Sequence, residues 1–333
     1  MSAGATHRTG RRAANTDRRA EYMLGALSVG VLALIGLMAF TVIDNAWPSF
    51  SANGLSWFGS GGDVVTQFRA MQSGTPLPGH SLLYFRAWPL ISGTLVTTVL
   101  AVAIAIVVST LAAIFLTEFA PAPMRRVLEP VVRLLAGVPS VVYGLIGILA
   151  LVPWINEHLI SNARKHSVQY VVQLNGQDLM TATLILTVMI LPIMIAITTN
   201  ALASVPGSWR EGSAALGVNR WRTIWRVSVR TARPAIVAGA VLATARALGE
   251  AIMLSMVSGG LPFAANPLDG LTFLFEPVQP LAATIVKEFA GQQGGAVPHT
   301  IYAISAVLLV SALLLSFASW AAKQPLKRYG IGA

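Results

Sequence analysis

The chain predicts an all-α, polytopic membrane protein with six transmembrane helices, on three observations. Charged side chains make up only 11% of the 333 residues and apolar ones 55%, against about 25% charged in soluble domains. Apolar runs recur at lengths near the roughly 20 residues that a helix needs to cross a bilayer. Lys and Arg fall unevenly on alternate loops, sixteen on one side and five on the other, which places both termini in the cytoplasm. The net charge of +10 is thus explained by topology, and a nucleic-acid partner is not needed. No cysteine is present, which excludes disulfides, thiolate nucleophiles and Cys-based metal sites. The five histidines share no ligand spacing and read as solvated loop residues. Neither a metal nor another cofactor is expected.

A basic tail over 1–21 leads into the first span, 22–43. The apolar run is too long for a signal-peptide core, and "TVIDNAWPSF" offers no small-x-small cleavage site, so the segment reads as an uncleaved anchor. Residues 44–88 form an extracytoplasmic loop rich in Gly, Pro and Ser with scattered aromatics. A core over 89–322 follows, with spans at 89–116, 128–152, 179–199, 235–259 and 300–321, and a cytoplasmic tail at 323–333 closes the chain.

Span three contains "RLLAGVPSVVYGLIG". Gly137 and Pro139 interrupt helical hydrogen bonding there, which membranes tolerate only against protein or a wet cavity. Ser140 and Tyr143 add hydroxyls at that point. The same residues are compatible with a plain proline kink and close packing at Gly137, Gly144 and Gly147. Arg133 has Glu129 four residues before it, in the order that favours a helical pair. It reads mainly as an interfacial, snorkelling residue.

The cytoplasmic loop 200–234 is too long for a simple connection. "SWRE" at 208–211 has the form of a capping box, Ser208 accepting from the Glu211 amide, and Gly217 supplies a left-handed stop. Asn219 can cap a second helix, with Val218, Trp221, Ile224 and Trp225 on one side and Arg220, Arg222 and Arg226 on the other. Such a helix suits the lipid headgroups. By its residues alone the loop is a well-capped hairpin. Glu211, the small Gly212 and Ser213, and Gly217 also resemble the "EAA" loop of ABC importer permeases, whose short helix docks on a cytoplasmic ATPase. Gly212-Ser213 replaces the usual Ala-Ala, and Val229-Arg230 stands where Leu-Pro is expected.

Span five raises the sharpest question. From Ala235 to Leu268 the only charged side chains are Arg246 and Glu250, each costing about 2.5–3.5 kcal/mol at mid-membrane on insertion scales. Four residues apart on one helix, they are expected to pair, although Arg before Glu is the weaker order. In the last outer loop, Leu281, Ile285 and Phe289 recur at helical spacing, predicting a short amphipathic helix on or in the outer leaflet.

"LLAGVPSVVYGLIG", "FLTEFAPAP", "RALGEAIMLSMVSGG" and "PLAATIVKEFA" together resemble a phosphate-specific ABC transporter permease of the PstC type, from about Trp88 to Trp320. The resemblance implies a type I ABC importer permease fold in a prokaryotic cell membrane, forming half of a phosphate pathway. It implies a homologous PstA-type second permease, two cytoplasmic ATP-binding subunits coupled through the 208–217 helix, and an extracytoplasmic phosphate-binding protein. The chain has no G-x-x-x-x-G-K-[ST], so ATP hydrolysis is expected in a partner. Arg246 then becomes a candidate phosphate ligand, since a guanidinium matches two phosphate oxygens, with Glu250 preventing tight trapping. A buried pair that merely fixes span five is the competing reading, and phosphate exit is the lesser reading of Arg133. The same architecture would serve sulfate or molybdate. An ion-coupled anion transporter would need more intramembrane acids than Glu250 alone.

Overall fold

The computed structural model describes residues 6–327 apart from 169, 171–172, 265 and 292–294. Arg328 and the end of the predicted tail, 328–333, lie outside the described residues, as do the side chains of 6–20. The described chain is helical without strands, apart from one isolated bridge between Gly259 and Val278.

Among the described residues, five helical segments are long and apolar enough to cross a membrane, namely Glu21–Phe58, Trp88–Phe119, Ser140–His158, Leu179–Ala203 and Val297–Ala321. The predicted span 22–43 lies within a longer helix α1, Thr6–Asn53. Span two is α3, Trp88–Ile114, extended by a wide π turn at Phe115–Phe119. Span four is α8, Leu179–Ala203, and span six is α14, Val297–Lys327.

Span three breaks at Gly137–Pro139 as expected, but its extent needs correction, and span five, expected to run unbroken, is broken as well. The 128–152 segment divides into α4, Ala122–Ala136, and a helix restarting at Ser140 as α5, Ser140–Ile146. Pro139, with ψ 138°, stands at the join and has no N–H to continue the ladder. α4 buries none of its residues in this chain, so it is a surface piece and only Ser140–His158 has spanning character. The 235–259 segment divides at Gly249–Ala251 into α11, Arg230–Leu248, and α12, Ile252–Val257.

α3 packs most extensively on α8, and α11 bridges α8 and α14. Ala101 and Ala105 of α3 and Ala243 and Ala247 of α11 face the larger Leu186, Met189, Ile190 and Met194 of α8. Small residues against large ones let the backbones approach closely, the source of most helix adhesion in lipid. The two restarted helices pack together in the same way. A Cβ at Gly144 would lie 2.8 Å from Met256 Sδ and 3.2 Å from Met253 Cα, and one at Gly147 would lie 2.8 Å from Val257 Cγ1. The glycines in "YGLIG" therefore bring α5 onto α12.

Loop 44–88 folds into a cap with its own core. Helix α2, Val64–Ser73, is capped by Asp63 and contributes Phe68 and Met71 to a cluster with Trp57, Phe85 and Leu90. Phe50, Trp57, Phe58 and Phe85 meet ring to ring at 5.0–6.3 Å. The polar groups there are matched. Asn53 accepts from the Phe85 and Arg86 amide and guanidinium groups, Gln67 bonds Gly61 O and the Arg86 amide, and Arg86 lies 4.5 Å from the Tyr84 ring. His299, expected in solvent, donates through Nδ1 to Asn45 O at 3.0 Å and ties α14 to α1.

The predicted amphipathic helix is α13, Leu281–Gly291. It dips inward, with Leu281 buried and Phe289 exposed, and packs on α3, α12 and α14.

Candidate functional site

The two breaks bring Tyr143 into one cluster with Ala247 and Met253, which flank Arg246 and Glu250, while Arg133 lines a cavity against the end of α8. Arg246 occupies the last turn of α11 and Glu250 follows the break. Because the helix ends at Leu248, the two are no longer one turn apart on a common axis, and the expected ion pair does not form. Glu250 Oε1 instead accepts from the Met253 amide at 3.1 Å, steadying the first turn of α12. Arg246 is exposed in the single chain and has no hydrogen bond or ion pair among the described residues. Its neighbour Ala247 packs in one cluster with Tyr143.

Tyr143 is 7% exposed, and its hydroxyl donates to Leu135 O at 2.9 Å. The bond straps α5 to α4 across Gly137–Pro139, so this hydroxyl is spent on holding the break. Ser140 opens α5 half-buried, and its side chain has no hydrogen-bond partner among the described residues.

The Glu129–Arg133 pair is also absent. Glu129 pairs with Arg125, one turn before it, leaving Arg133 exposed. Arg133 and Glu129 line a cavity of about 30 Å³ with Thr199 and Asn200, enough for one water. The buried Thr199 hydroxyl there has no partner in the chain.

On the arginine-rich face, α9 spans Gly207–Ala215. The expected capping box does not form. Pro206, with φ −56° and ψ 131°, sets the entry, and the helix begins before Ser208. Glu211 is thereby relieved of a capping role and stays exposed beside Gly212, with Trp209 and Leu216 also exposed. Gly217 is the left-handed stop expected, at φ +75°, with the Val218 amide donating to Ser213 O. Asn219 caps α10, Arg220–Thr223, by accepting from the Arg222 amide at 2.8 Å. Ser213 Oγ bonds Thr223 Oγ1 at 2.8 Å and joins the two helices. α10 runs on through a π turn at Ile224–Val229 into α11, so the predicted second helix is the root of span five. Its predicted apolar side divides, with Ile224 buried and Trp221 and Trp225 outward.

Residues 109–323 match the family described as "Binding-protein-dependent transport system inner membrane component". The chain belongs to that family. A probable ABC transporter permease protein, YqgH, of Bacillus subtilis is 34% identical over 90% of this chain and 89% of its own length. The phosphate transport system permease protein PstC of Mesorhizobium japonicum is 31% identical over 92% and 90%. A bacterial alginate ABC transporter, crystallised with its alginate-bound periplasmic protein, has a chain superposing with TM-score 0.51 at 14% identity, over 93% of this chain and 97% of that one. The last likeness supports the fold alone. The PstC-type resemblance thus extends through the predicted outer loop 44–88, and the chain is a multi-pass permease.

What sequence reading missed in this permease is how the loop around α9 is held. Arg210 Nη1 donates to Glu118 Oε1 at 2.8 Å and Nη2 to Val205 O at 3.2 Å, while Arg220 lies 4.6 Å from the Phe119 ring. Glu118 and Phe119 stand within "FLTEFAPAP". An acid at the end of an apolar span was the available signal, but its partner lies 92 residues away.

Proposed function

We propose that the chain is the permease subunit of an ATP-driven importer of inorganic phosphate, forming half of the pathway. The observation that carries this is Arg246, a guanidinium without an ion-pair partner among the described residues, set where two broken spans meet in a chain 31% identical to a phosphate permease. Irregular backbone at mid-membrane belongs against protein or a wet cavity, and a permanent cation there suits an anion that must be held and then released. Ser140 and the break residues Gly137 and Pro139 border the same region, with Tyr143 positioning them. Arg133 and the unpartnered Thr199 hydroxyl are candidates for the exit.

The remaining assembly follows from this reading. The arginine-rich face is cytoplasmic, and α9 presents Glu211, Gly212 and the exposed Trp209 and Leu216 to one of two ATPase subunits, with Ser213 and Gly217 shaping the helix. A PstA-type permease completes the pathway, and an extracytoplasmic phosphate-binding protein delivers substrate to the opposite face. ATP hydrolysis resides in the partners.

The test is uptake by the reconstituted complex. Labelled phosphate should accumulate only with internal ATP and binding protein, and excess sulfate or molybdate should not compete. Arg246→Gln should cut accumulation at least tenfold while the subunits still co-purify. Uptake driven by an ion gradient without ATP, or undiminished in Arg246→Gln, would overturn the reading.

A further inference from the structure

The end of α3 is built as a handle for α9. Glu118 sits in the π turn that terminates the apolar helix, with only 11% of its side chain exposed. An acid in that setting is costly unless paired, and Arg210 from α9 pairs it at 2.8 Å. The same guanidinium holds Val205 O at the end of the α8 connection. A second cation from the far side of the loop, Arg220, covers Phe119 at 4.6 Å. Two adjacent residues of α3 are therefore gripped from both helices of the loop, which Ser213 and Thr223 join to each other.

At its other end α3 holds a second element. Thr94 Oγ1 accepts from the Leu281 amide at 2.8 Å, and Leu281 is the first residue of the inserted helix α13. Between the two ends α3 lies along α8 on its alanines. An unbroken helix thus connects the loop on the arginine-rich face to α13 near the opposite face. Spans three and five are broken and lack such a direct connection.

We propose that Glu118 is a positioning residue that fastens α9 to α3, so that displacement of α9 moves α3 and, through Thr94, α13. The inference rests on the import function proposed above, in which α9 receives the motion of the ATPase. Glu118 touches neither substrate nor nucleotide, and its effect falls on coupling, meaning ions moved per ATP hydrolysed.

The experiment uses the full complex in proteoliposomes, measuring phosphate uptake and ATP hydrolysis together. In Glu118→Ala, ions moved per ATP should fall by about fivefold or more, the range expected when a coupling free energy is lost, while hydrolysis continues. The double variant Glu118→Arg with Arg210→Glu should recover part of the ratio. The chain contains no cysteine, so Glu118→Cys with Arg210→Cys can be joined selectively by a short bifunctional thiol reagent. Joining should raise the ratio above that of the same variant unjoined, because helices that travel together tolerate a tether. An unchanged ratio in an assembled Glu118→Ala complex overturns the proposal. If that variant fails to assemble, the tethered pair decides, and a tether that leaves the ratio flat or lowers it also overturns it. Absence of ATP-driven uptake by the wild-type complex would instead remove the function on which the inference rests.

Discussion

Arg86 and Arg246 are the same side chain used in opposite ways. In the cap over 44–88, Arg86 is held by Asn53, by Phe85 O and by the Tyr84 ring, and the surrounding aromatic cluster is closed. At the centre, Arg246 has no hydrogen-bond partner among the described residues, and Glu250, four positions on, accepts from the Met253 amide of α12. The cap satisfies itself within one chain. On the function proposed above, the centre leaves its guanidinium for an anion. Stability and function are on that reading separated in space, and substitutions in the two regions should have different consequences.

The largest effect is expected in the cap. Trp57 is fully buried and donates to Ser49 Oγ at 3.2 Å, so Trp57→Ala should destabilise by about 3–5 kcal/mol. Thermal unfolding in detergent would show it, and a melting temperature within a degree of wild type would contradict a closed cap core.

The second expectation is a pH dependence just ahead of α8. Burial raises the Asp178 carboxyl from 3.8 to about 6, partly opposed by the Thr181 amide that it caps, and its second oxygen has no partner. The folded-state value lies above the unfolded one, so the native state holds the proton more tightly and stability declines as pH rises from about 4 to about 6. The decline is of order 3 kcal/mol at about 1.4 kcal/mol per pKa unit. Asp178→Asn keeps the capping oxygen and should flatten it. An unflattened melting profile would point to another group.

Next comes the direct contrast between the arginines. Arg246→Gln should leave stability within about 0.5 kcal/mol, while removing a charged hydrogen-bond donor worth about 1.5–3 kcal/mol toward an anion. Uptake should therefore fall at least tenfold at unchanged melting temperature. Arg86→Gln should show the reverse. A drop in stability for Arg246→Gln would mean that its role is structural. The smallest effect belongs to Tyr143→Phe, which loses one bond to Leu135 O and about 1 kcal/mol. Thermal unfolding would detect it, and no loss would show that Gly137–Pro139 holds its shape without the strap.

How much was legible in the sequence follows from the range of each interaction. The left-handed stop at Gly217 and the Asn219 cap are set by residues within one turn of each other, and both appear where spacing places them, as do spans one, two, four and six where composition places them. Pairings inferred from i, i+4 spacing fared worse. That inference presumes an unbroken helix and an unoccupied partner, whereas α11 stops at Leu248 and Arg125 takes Glu129. The capping box fell to Pro206, which fixes the helix entry before Ser208.

The sequence by itself therefore determined a membrane-spanning helical chain and the place in span three where the helix would weaken, because solvation by lipid and local backbone chemistry act residue by residue. Only tertiary structure decided that span five breaks as well as span three, that the restarted helices pack through Gly144 and Gly147, that Tyr143 secures one break, and that Glu118 meets Arg210. Those outcomes depend on which surfaces reach each other once the helices are side by side, and contact energy between distant segments has no signature in either segment alone.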